Sequence, residues 1–483
     1  MTDSRVAPGE RRACIIGAGP NGLAAAIVLA QAGCHVEVFE AESQPGGAAR
    51  TLELTLPGFL HDFGSAVHPM AASSPFFTSL PLGDYGLEWV QPSAPLAHPL
   101  DDGTAVILER DLAEAAKALG EDGNAWRKLM QPFAKHWTQL AADVLRPLPL
   151  SPSRPFLLAR LGLVSLPSAI FVANRWFRNP RTKALYSGLA AHSLLSLDAP
   201  LSSGFGVMLA VPAHVVGWPS PRGGAQSITH ALCAHLTKLG GVVTTSRRIA
   251  DLSELSNCDV VLCDVTPRQL LAIAGRRLSG AYRRRAAKYR YGPGVFKADY
   301  ALSCPVPWKA PECLRAGTVH LGGTMEEVAA SEHAMSHGQH AERPFVLLAQ
   351  PTLFDRTRAP EGRHVVWAYC HVPNGSTFDM LERMENQIER FAPGFRDCVL
   401  ARHVLSPASL EASDANLVGG DIGGGANDLR QFLMRPTWKH YLTSDSNTFL
   451  CSSSTPPGGG VHGMCGYYAA KAALRRMGRA VRP

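Results

Sequence analysis

The first strongly patterned stretch of the chain lies between Ala13 and Glu40. An apolar run, Ala13 to Ile16, predicts a buried strand. An Ala/Leu-rich stretch then predicts a helix reaching Gly33, and His35 to Phe39 a second strand ending at Glu40. Helical periodicity returns at Asp111 to Leu119 and Ala125 to Leu145. It returns again after Pro221-Arg222-Gly223-Gly224, where Ile228, Leu232, Leu236 and Leu239 repeat at i+4, i+4 and i+3 before Gly240-Gly241. Val242 to Thr245, then Ile249, then Val260 to Val265 and a Thr266-capped helix resume the alternation of strand and helix. Strand-like runs follow at Lys297 to Leu302, Thr318 to Leu321, Phe345 to Gln350 and His364 to His371. A helix from Phe378 carries Leu381, Met384, Ile388 and Phe391 on one side, and the chain closes with a strand at Thr448 to Cys451, a glycine-rich turn and a helix at Tyr467 to Met477.

This order predicts an α/β chain in which a Rossmann-like nucleotide domain is interrupted twice. Residues 1–70, 217–280 and 445–483 are expected to form it discontinuously, and residues 71–216 and 281–444 an α+β substrate domain on an antiparallel sheet. At 483 residues the chain has room for two or three domains at roughly 150 residues each.

One segment breaks the pattern. Arg154 to Arg178 is strongly apolar with basic punctuation, and its longest uncharged run, Leu161 to Asn174, is 14 residues, whereas a spanning helix needs about 20. It reads as core, or as a peripheral membrane contact with Arg154, Arg160, Arg175 and Arg178 toward headgroups. The formal charge of +7 is modest and comes with no lysine-rich tail, which argues against nucleic acid, and the basic run Ala281 to Tyr291 reads as a solvated helix face. No apolar signal precedes Ala13, so reduced thiols and a cytoplasmic location, with membrane association as a variant, are expected for the 11 cysteines. Cys258 and Cys263 read as packing residues in a buried strand. His333, His337 and His340 fall on a polar, loop-like stretch and read as solvated, and no metal-ligand spacing is present.

Candidate chemistry concentrates in the glycine turns. In Gly17-x-Gly19-x-x-Gly22, Gly17 makes the tight turn, Gly19 lets backbone reach a pyrophosphate, and Gly22 lets helix pack on strand, with Pro20 and Asn21 opening the helix. Phosphate is favoured there by free N–H groups and the helix dipole. Glu40, 23 residues beyond Gly17 and followed by Ala41, is placed for the ribose hydroxyls of an adenosine half. Gly46-Gly47-Ala48-Ala49-Arg50 adds a second glycine turn with an arginine for the pyrophosphate of a larger cofactor, which favours FAD over NAD. His61, Asp62 and His68 are candidate active-site groups, with Asp62 equally readable as a turn acid.

At the other end, Ser452 to Met464 forms a strand, glycine turn and helix aimed back at the same ligand. A helix starting near Gly463 offers N–H groups and a positive dipole end to the flavin pyrimidine edge, where negative charge appears on hydride uptake. His462 is the candidate proton carrier; its alternative is a neutral histidine bonded to backbone in a tight loop. His440 and Tyr441 are weaker candidates, and Cys451 and Cys465 read as packing residues.

The N-terminal GAGPNGLAAA and PGGAART with the C-terminal STPPGGGVHGMCGYYAA resemble the phytoene desaturase-like FAD-dependent oxidoreductases. APEGRHVVWAYCHVP, ERFAPGFRD and GGDIGGGANDLRQFLMRP resemble the branch of pyridine nucleotide-disulfide oxidoreductase domain-containing protein 2. The resemblance implies a glutathione reductase/amine oxidase-like fold, non-covalent FAD and a lipophilic substrate. It places Gly17, Gly19, Gly22, Glu40, Gly47 and Arg50 on the ADP half, an Ile249 backbone group at adenine, and Ser453, Gly459, Gly460, Val461 and Met464 at the flavin end. His462 stands where carotenoid desaturases usually have proline. The implied activity is dehydrogenation with oxygen or quinone as acceptor. An isomerase or saturase acting without net oxidation is the alternative, and a scaffold with structural FAD a third reading.

Overall fold

The computed structural model describes residues 11–148, 151–255 and 257–478. Along the chain, the strands of its two main sheets are β1 (Arg11–Ile16), β2 (Cys34–Phe39), β3 (Ala94–Pro99), β4 (Ala105–Leu108), β5 (Val242–Thr244) and β6 (Val260–Cys263). They continue as β7 (Gly294–Leu302), β8 (Ala316–Leu321), β9 (Val346–Ala349), β10 (His364–Val372), β11 (Val399–Leu405) and β12 (Thr448–Leu450). The helices used below are α1 (Pro20–Gln31), α2 (Pro155–Ser165), α3 (Ala169–Trp176), α4 (Pro180–Ala191), α5 (Ser202–Val215), α6 (Gln226–Lys238), α7 (Met325–Ser336), α8 (Leu381–Phe391) and α9 (Met464–Arg476).

The first sheet is parallel, ordered β12-β6-β1-β2-β5, so its strands come from both ends and the middle of the chain. Parallel strands need crossovers and are covered on both faces, which accounts for the uninterrupted apolar runs of β1 and β6. The second sheet is ordered β11-β7-β10-β9-β8-β3-β4 and is antiparallel except where β8 runs parallel to β3. A Rossmann-like unit joined to an α+β unit on a largely antiparallel sheet is the expected fold class.

Side chains alternate across the second sheet. Phe296, Ala298, Tyr300, Val366, Ala368 and Cys370 pack against Met384, Ile388 and Phe391 of α8. The opposite face joins the core of the nucleotide-binding unit and is far more polar. In register across it lie Lys297, Tyr369, Leu347 and His320, and in the next rank Asp299, Trp367, Ala349 and Thr318.

Several local expectations need correction. The helix expected over Ala125 to Leu145 is two helices, Gly123–Ala134 and Trp137–Val144, the first containing Pro132. His333 lies in α7, started by a Thr324–Glu327 capping box, rather than in a loop. Among the described residues no group of three or more His, Cys, Asp or Glu side chains is placed to hold a metal ion. Cys14 and Cys258 form a disulfide where reduced thiols were expected, because β6 lies beside β1 and brings their Cα atoms to 6.1 Å. The apolar segment Arg154 to Arg178 is divided between the two readings: Leu161, Ala169, Val172, Ala173 and Phe177 are core, while the rest of α2 is not buried.

Candidate dinucleotide site and adjoining sheet face

Gly17 ends β1 at φ +95°, and its N–H donates to the Phe39 carbonyl at 2.8 Å, which sets the turn against β2. Gly22 is obligatory for a steric reason: a Cβ there would stand 2.0 Å from the Gly17 carbonyl oxygen. Glu40 is buried at the end of β2. Its Oε2 accepts the Ala18 N–H at 2.8 Å and its Oε1 the Glu42 N–H at 2.9 Å, so Ala41 and the Gly17 turn are tied to one carboxylate. Each oxygen keeps acceptor capacity for a hydroxyl.

The second glycine turn closes on the first. The Gly46 N–H donates to the Ala18 carbonyl at 3.0 Å, and a Cβ on Gly47 would lie 3.6 Å from both the Gly19 Cα and Asp414 Oδ2. Arg50 is buried over the Phe63 ring; its Nε donates to the Gly47 carbonyl and Nη2 to the Ser413 carbonyl. It thereby ties Gly46-Gly47-Ala48 to the 413–416 loop. Ile249 packs with Phe39, Ile16 and Leu252 beyond β5.

The C-terminal turn arrives beside the first. α1 and α9 pack together, and Gly466 permits it, since a Cβ there would stand 1.8 Å from the Asn21 carbonyl oxygen. Asn21 Nδ2 faces Ser453 Oγ at 3.4 Å, and the N-termini of the two helices lie side by side. The glycine-rich stretch Gly419 to Gly425 lies against this turn, where Cβ atoms on Gly424 and Gly459 would meet Ser453 and Gly423. Gly460 and Val461 complete the turn, and Met464 begins α9.

His462 has a defined chemical state. Its Nδ1 accepts the Met464 N–H at 3.0 Å, which places the imidazole hydrogen on Nε2, and burial lowers its pKa to about 4. Ser74 Oγ donates to its backbone carbonyl at 2.6 Å. The lone pair that a proton acceptor would use is therefore engaged in starting α9, which favours a backbone-bonded histidine over a proton shuttle.

Three acids surround the glycine cradle. Asp264, at the end of β6, accepts the Gly22 N–H at 2.8 Å, and a Cβ on Gly19 would stand 2.8 Å from its Oδ2. Burial raises its pKa to about 7, with Asp414 and Glu40 adding in the same direction. Asp414 is raised as well, first by burial. Asn416 links the two, its own N–H donating to Asp414 and its Nδ2 to the Asp264 carbonyl.

His61, Asp62 and His68 serve the joint between the units. Asp62 accepts from Thr51 Oγ1, the Ala225 N–H and Arg358 Nη2, so it is a clamp rather than a self-capping turn acid. His61 Nε2 meets Thr55 Oγ1 at 2.7 Å and His68 Nε2 meets Ser65 Oγ at 2.9 Å; burial lowers their pKa values to about 3 and about 4. Tyr441 donates to the Pro456 carbonyl beside His440, and Cys451 and Cys465 are buried.

The polar face of the second sheet supplies groups that the sequence analysis missed. Lys297 is ion-paired with Asp299 in full burial, and burial pushes both toward neutrality. His371 Nδ1 meets Glu332 Oε2 at 2.7 Å, and His320 Nε2 meets His192 Nε2 at 3.0 Å. His371 Nε2, Glu332 Oε1, His320 Nδ1, Thr318 Oγ1 and Trp367 Nε1 are buried without partners. Arg435 is buried beside the C-terminal turn and donates to the Gly425 carbonyl. A Lys and an Asp two apart in the apolar strand Gly294–Leu302 was the available signal for the first pair.

These residues fit a dinucleotide: two helix N-termini, close-approach glycines, and a carboxylate at the ribose position. Among the described residues Asp264, and beyond it Asp414, oppose a phosphate there.

Comparison with known proteins agrees. The description of an NAD(P)-binding Rossmann-like domain matches residues 15–78. The chain is similar to pyridine nucleotide-disulfide oxidoreductase domain-containing protein 2 of Rattus norvegicus, 28% identical over 96% of this chain and 94% of that one. It is also similar to a phytoene desaturase (lycopene-forming) of Pseudescherichia vulneris, 24% identical over 96% and 99%. In fold it matches an oxidoreductase from Methanosarcina mazei with a TM-score of 0.64 at 16% identity, over 96% of this chain and all of that one.

Proposed function

We propose that this chain is an FAD-dependent oxidoreductase that dehydrogenates a lipophilic substrate. Hydride would leave one carbon for flavin N5 and a proton would leave its neighbour, forming C=C, with oxygen or quinone as the final acceptor. The observation that carries this reading is the meeting of two glycine turns and two helix N-termini, from residues 17–22 and 453–466, at one place. A cofactor with adenosine at one end and a redox ring at the other spans both, and the further glycine turn at Gly46-Gly47, fixed by Arg50, favours the larger FAD over NAD. The desaturase named among the relatives supports the reaction class.

In this reading Glu40 holds the ribose, Gly17, Gly19, Pro20, Asn21 and Gly22 face the pyrophosphate, and a backbone group of Ile249 meets adenine. Gly46, Gly47 and Ala48, fixed by Arg50, add to the pyrophosphate side, and Ser453, Gly459, Gly460, Val461 and Met464 border the ring. FAD supplies the hydride acceptor. The chain would supply position: the N-terminus of α9 would offer N–H groups to the ring's electron-rich edge, and His462 holds the start of that helix. The Lys297–Tyr369 and Asp299–Trp367 ranks form the substrate wall. Their unpartnered polar atoms favour a lipophilic substrate carrying hydrogen-bonding groups over a pure hydrocarbon.

The test is to purify the protein aerobically, record its visible spectrum, and mix it anaerobically with lipophilic alkenes, amines, alcohols and acyl compounds. Bleaching of bound flavin by one class supports the dehydrogenase and names its substrate. Substrate conversion without bleaching identifies an isomerase, and a protein that holds no flavin refutes the proposal.

A further inference from the structure

α2 reads PFLLARLGLVS, one of the most apolar segments of the chain, and a helix of that composition belongs in a core. It is not there. Leu157, Leu158 and Val164 lean on the core, while Phe156 is 91% exposed, Leu163 75% and Leu166 52%. The break after α2 turns the chain by 102° into α3, which adds Phe171 at 60% exposure. The stripe Phe156, Arg160, Leu163, Leu166 follows helical spacing, so the solvent-facing side is the bare apolar side.

The segment's own charge has one sign, and the acids that reach it, Asp122 and Asp143, are buried and accept the N–H groups of Arg178, Asn179 and Ser153. From residue 144 to residue 197 there is no aspartate or glutamate, while Arg146, Arg154, Arg160, Arg175, Arg178, Arg181 and Lys183 all fall in that stretch. Arg154, Arg160, Arg175 and Arg178 are exposed and make no ion pair among the described residues.

We propose that α2 and α3 form a monotopic docking surface for an anionic lipid bilayer, with Phe156, Leu163, Leu166 and Phe171 in the acyl boundary and the four arginines at headgroup phosphates. Neither helix spans: they have 11 and 8 residues and turn away from each other. Apolar side chains ringed by unpaired cations are what an interfacial segment requires. A second copy of the chain fits less well, because a two-fold contact sets the same cations against themselves.

The test uses the full-length flavin-loaded protein and sedimentation with phosphatidylcholine vesicles, with and without phosphatidylglycerol. The expected result is binding to the anionic vesicles that weakens from 0.1 to 0.5 M salt, with new hydrogen-exchange protection over residues 154–178. The triple variant Phe156→Glu, Leu163→Glu, Phe171→Glu should bind about tenfold more weakly or worse. Its thermal melt and visible spectrum should be unchanged, since the three side chains are exposed. Equal binding by the variant, or no binding to either vesicle, overturns the proposal. So does a wild-type dimer that the variant converts to monomer without any vesicle binding.

Discussion

Asp264 Oδ2 accepts the Gly22 N–H at 2.8 Å, so a carboxyl group from the end of β6 occupies the phosphate-favouring N-terminus of α1. Burial raises its pKa to about 7, and Asp414 and Glu40 face it with like charge. A phosphate placed there would raise it further, so a dinucleotide should bind best with Asp264 protonated. The Kd for FAD should rise as pH increases above about 7, approaching tenfold per unit for one proton. Asp264→Asn should flatten that dependence and tighten binding at pH 8.5. Titration calorimetry in buffers of different ionisation enthalpy checks it: proton uptake by the wild type that the variant lacks is the expected result, and equal uptake by both refutes it. In the unliganded chain the same raised group withdraws stability as pH climbs from about 4 to about 7, because over that window the folded state holds a proton the unfolded state has lost.

Gly466 and Gly162 predict opposite outcomes for the same substitution. A methyl on Gly466 meets the backbone of Asn21 and Ala25 at 1.8 to 3.0 Å, and backbone cannot swing aside. Gly466→Ala should destabilise the protein by roughly 1–3 kcal/mol and weaken FAD binding as α9 is pushed from α1. Gly162 lies within α2 with no neighbouring atom within 4 Å of an added Cβ. Gly162→Ala should stabilise by about 0.5–1 kcal/mol. Thermal melts of both variants decide; a higher melting point for Gly466→Ala would show the helix contact to be looser than described.

The difference between these sites and the rest also marks what the sequence can disclose. The turn at Gly17, the close packing at Gly22 and the position of Glu40 at the end of β2 are local, set within one strand–helix–strand unit, and spacing alone indicates them. Asp264 meets Gly22 across 242 positions, a contact that exists only because β6 pairs with β1. The Lys297, Tyr369, Leu347, His320 rank likewise depends on register between four strands, and in the neighbouring β3 Pro95 and Pro99 break the strand pattern that would have marked it. For α2 the composition suits a core helix and an interfacial one equally; only its packing separates them.

Lys297 and Asp299 are a buried pair on one strand, with Lys297 Nζ 5.9 Å from the Trp367 ring. Removing one partner leaves the other charged or forced neutral in an apolar setting. Lys297→Met should cost about 3–5 kcal/mol, and Asp299→Leu should cost a similar amount. The double variant should recover most of the loss, because no uncompensated charge remains. Additive single and double losses in urea unfolding would show the pair to be uncoupled.

His462 separates a structural from a proton-transferring reading of the C-terminal turn. With Nδ1 accepting the Met464 N–H and its pKa held near 4 by burial, the ring is neutral from pH 6 to 8. The sign follows from that: a histidine with a lowered pKa is charged only below it, so His462 adds no titration to the working range. His462→Ala should remove the acceptor that starts α9, a loss of about 0.5–2 kcal/mol, seen as FAD binding weakened by about 2- to 30-fold and a shifted flavin spectrum. The pH profile of flavin reduction between 6 and 8 should keep its shape. A histidine that carried the substrate proton would behave in the opposite way, leaving FAD affinity nearly intact while abolishing one limb of that profile.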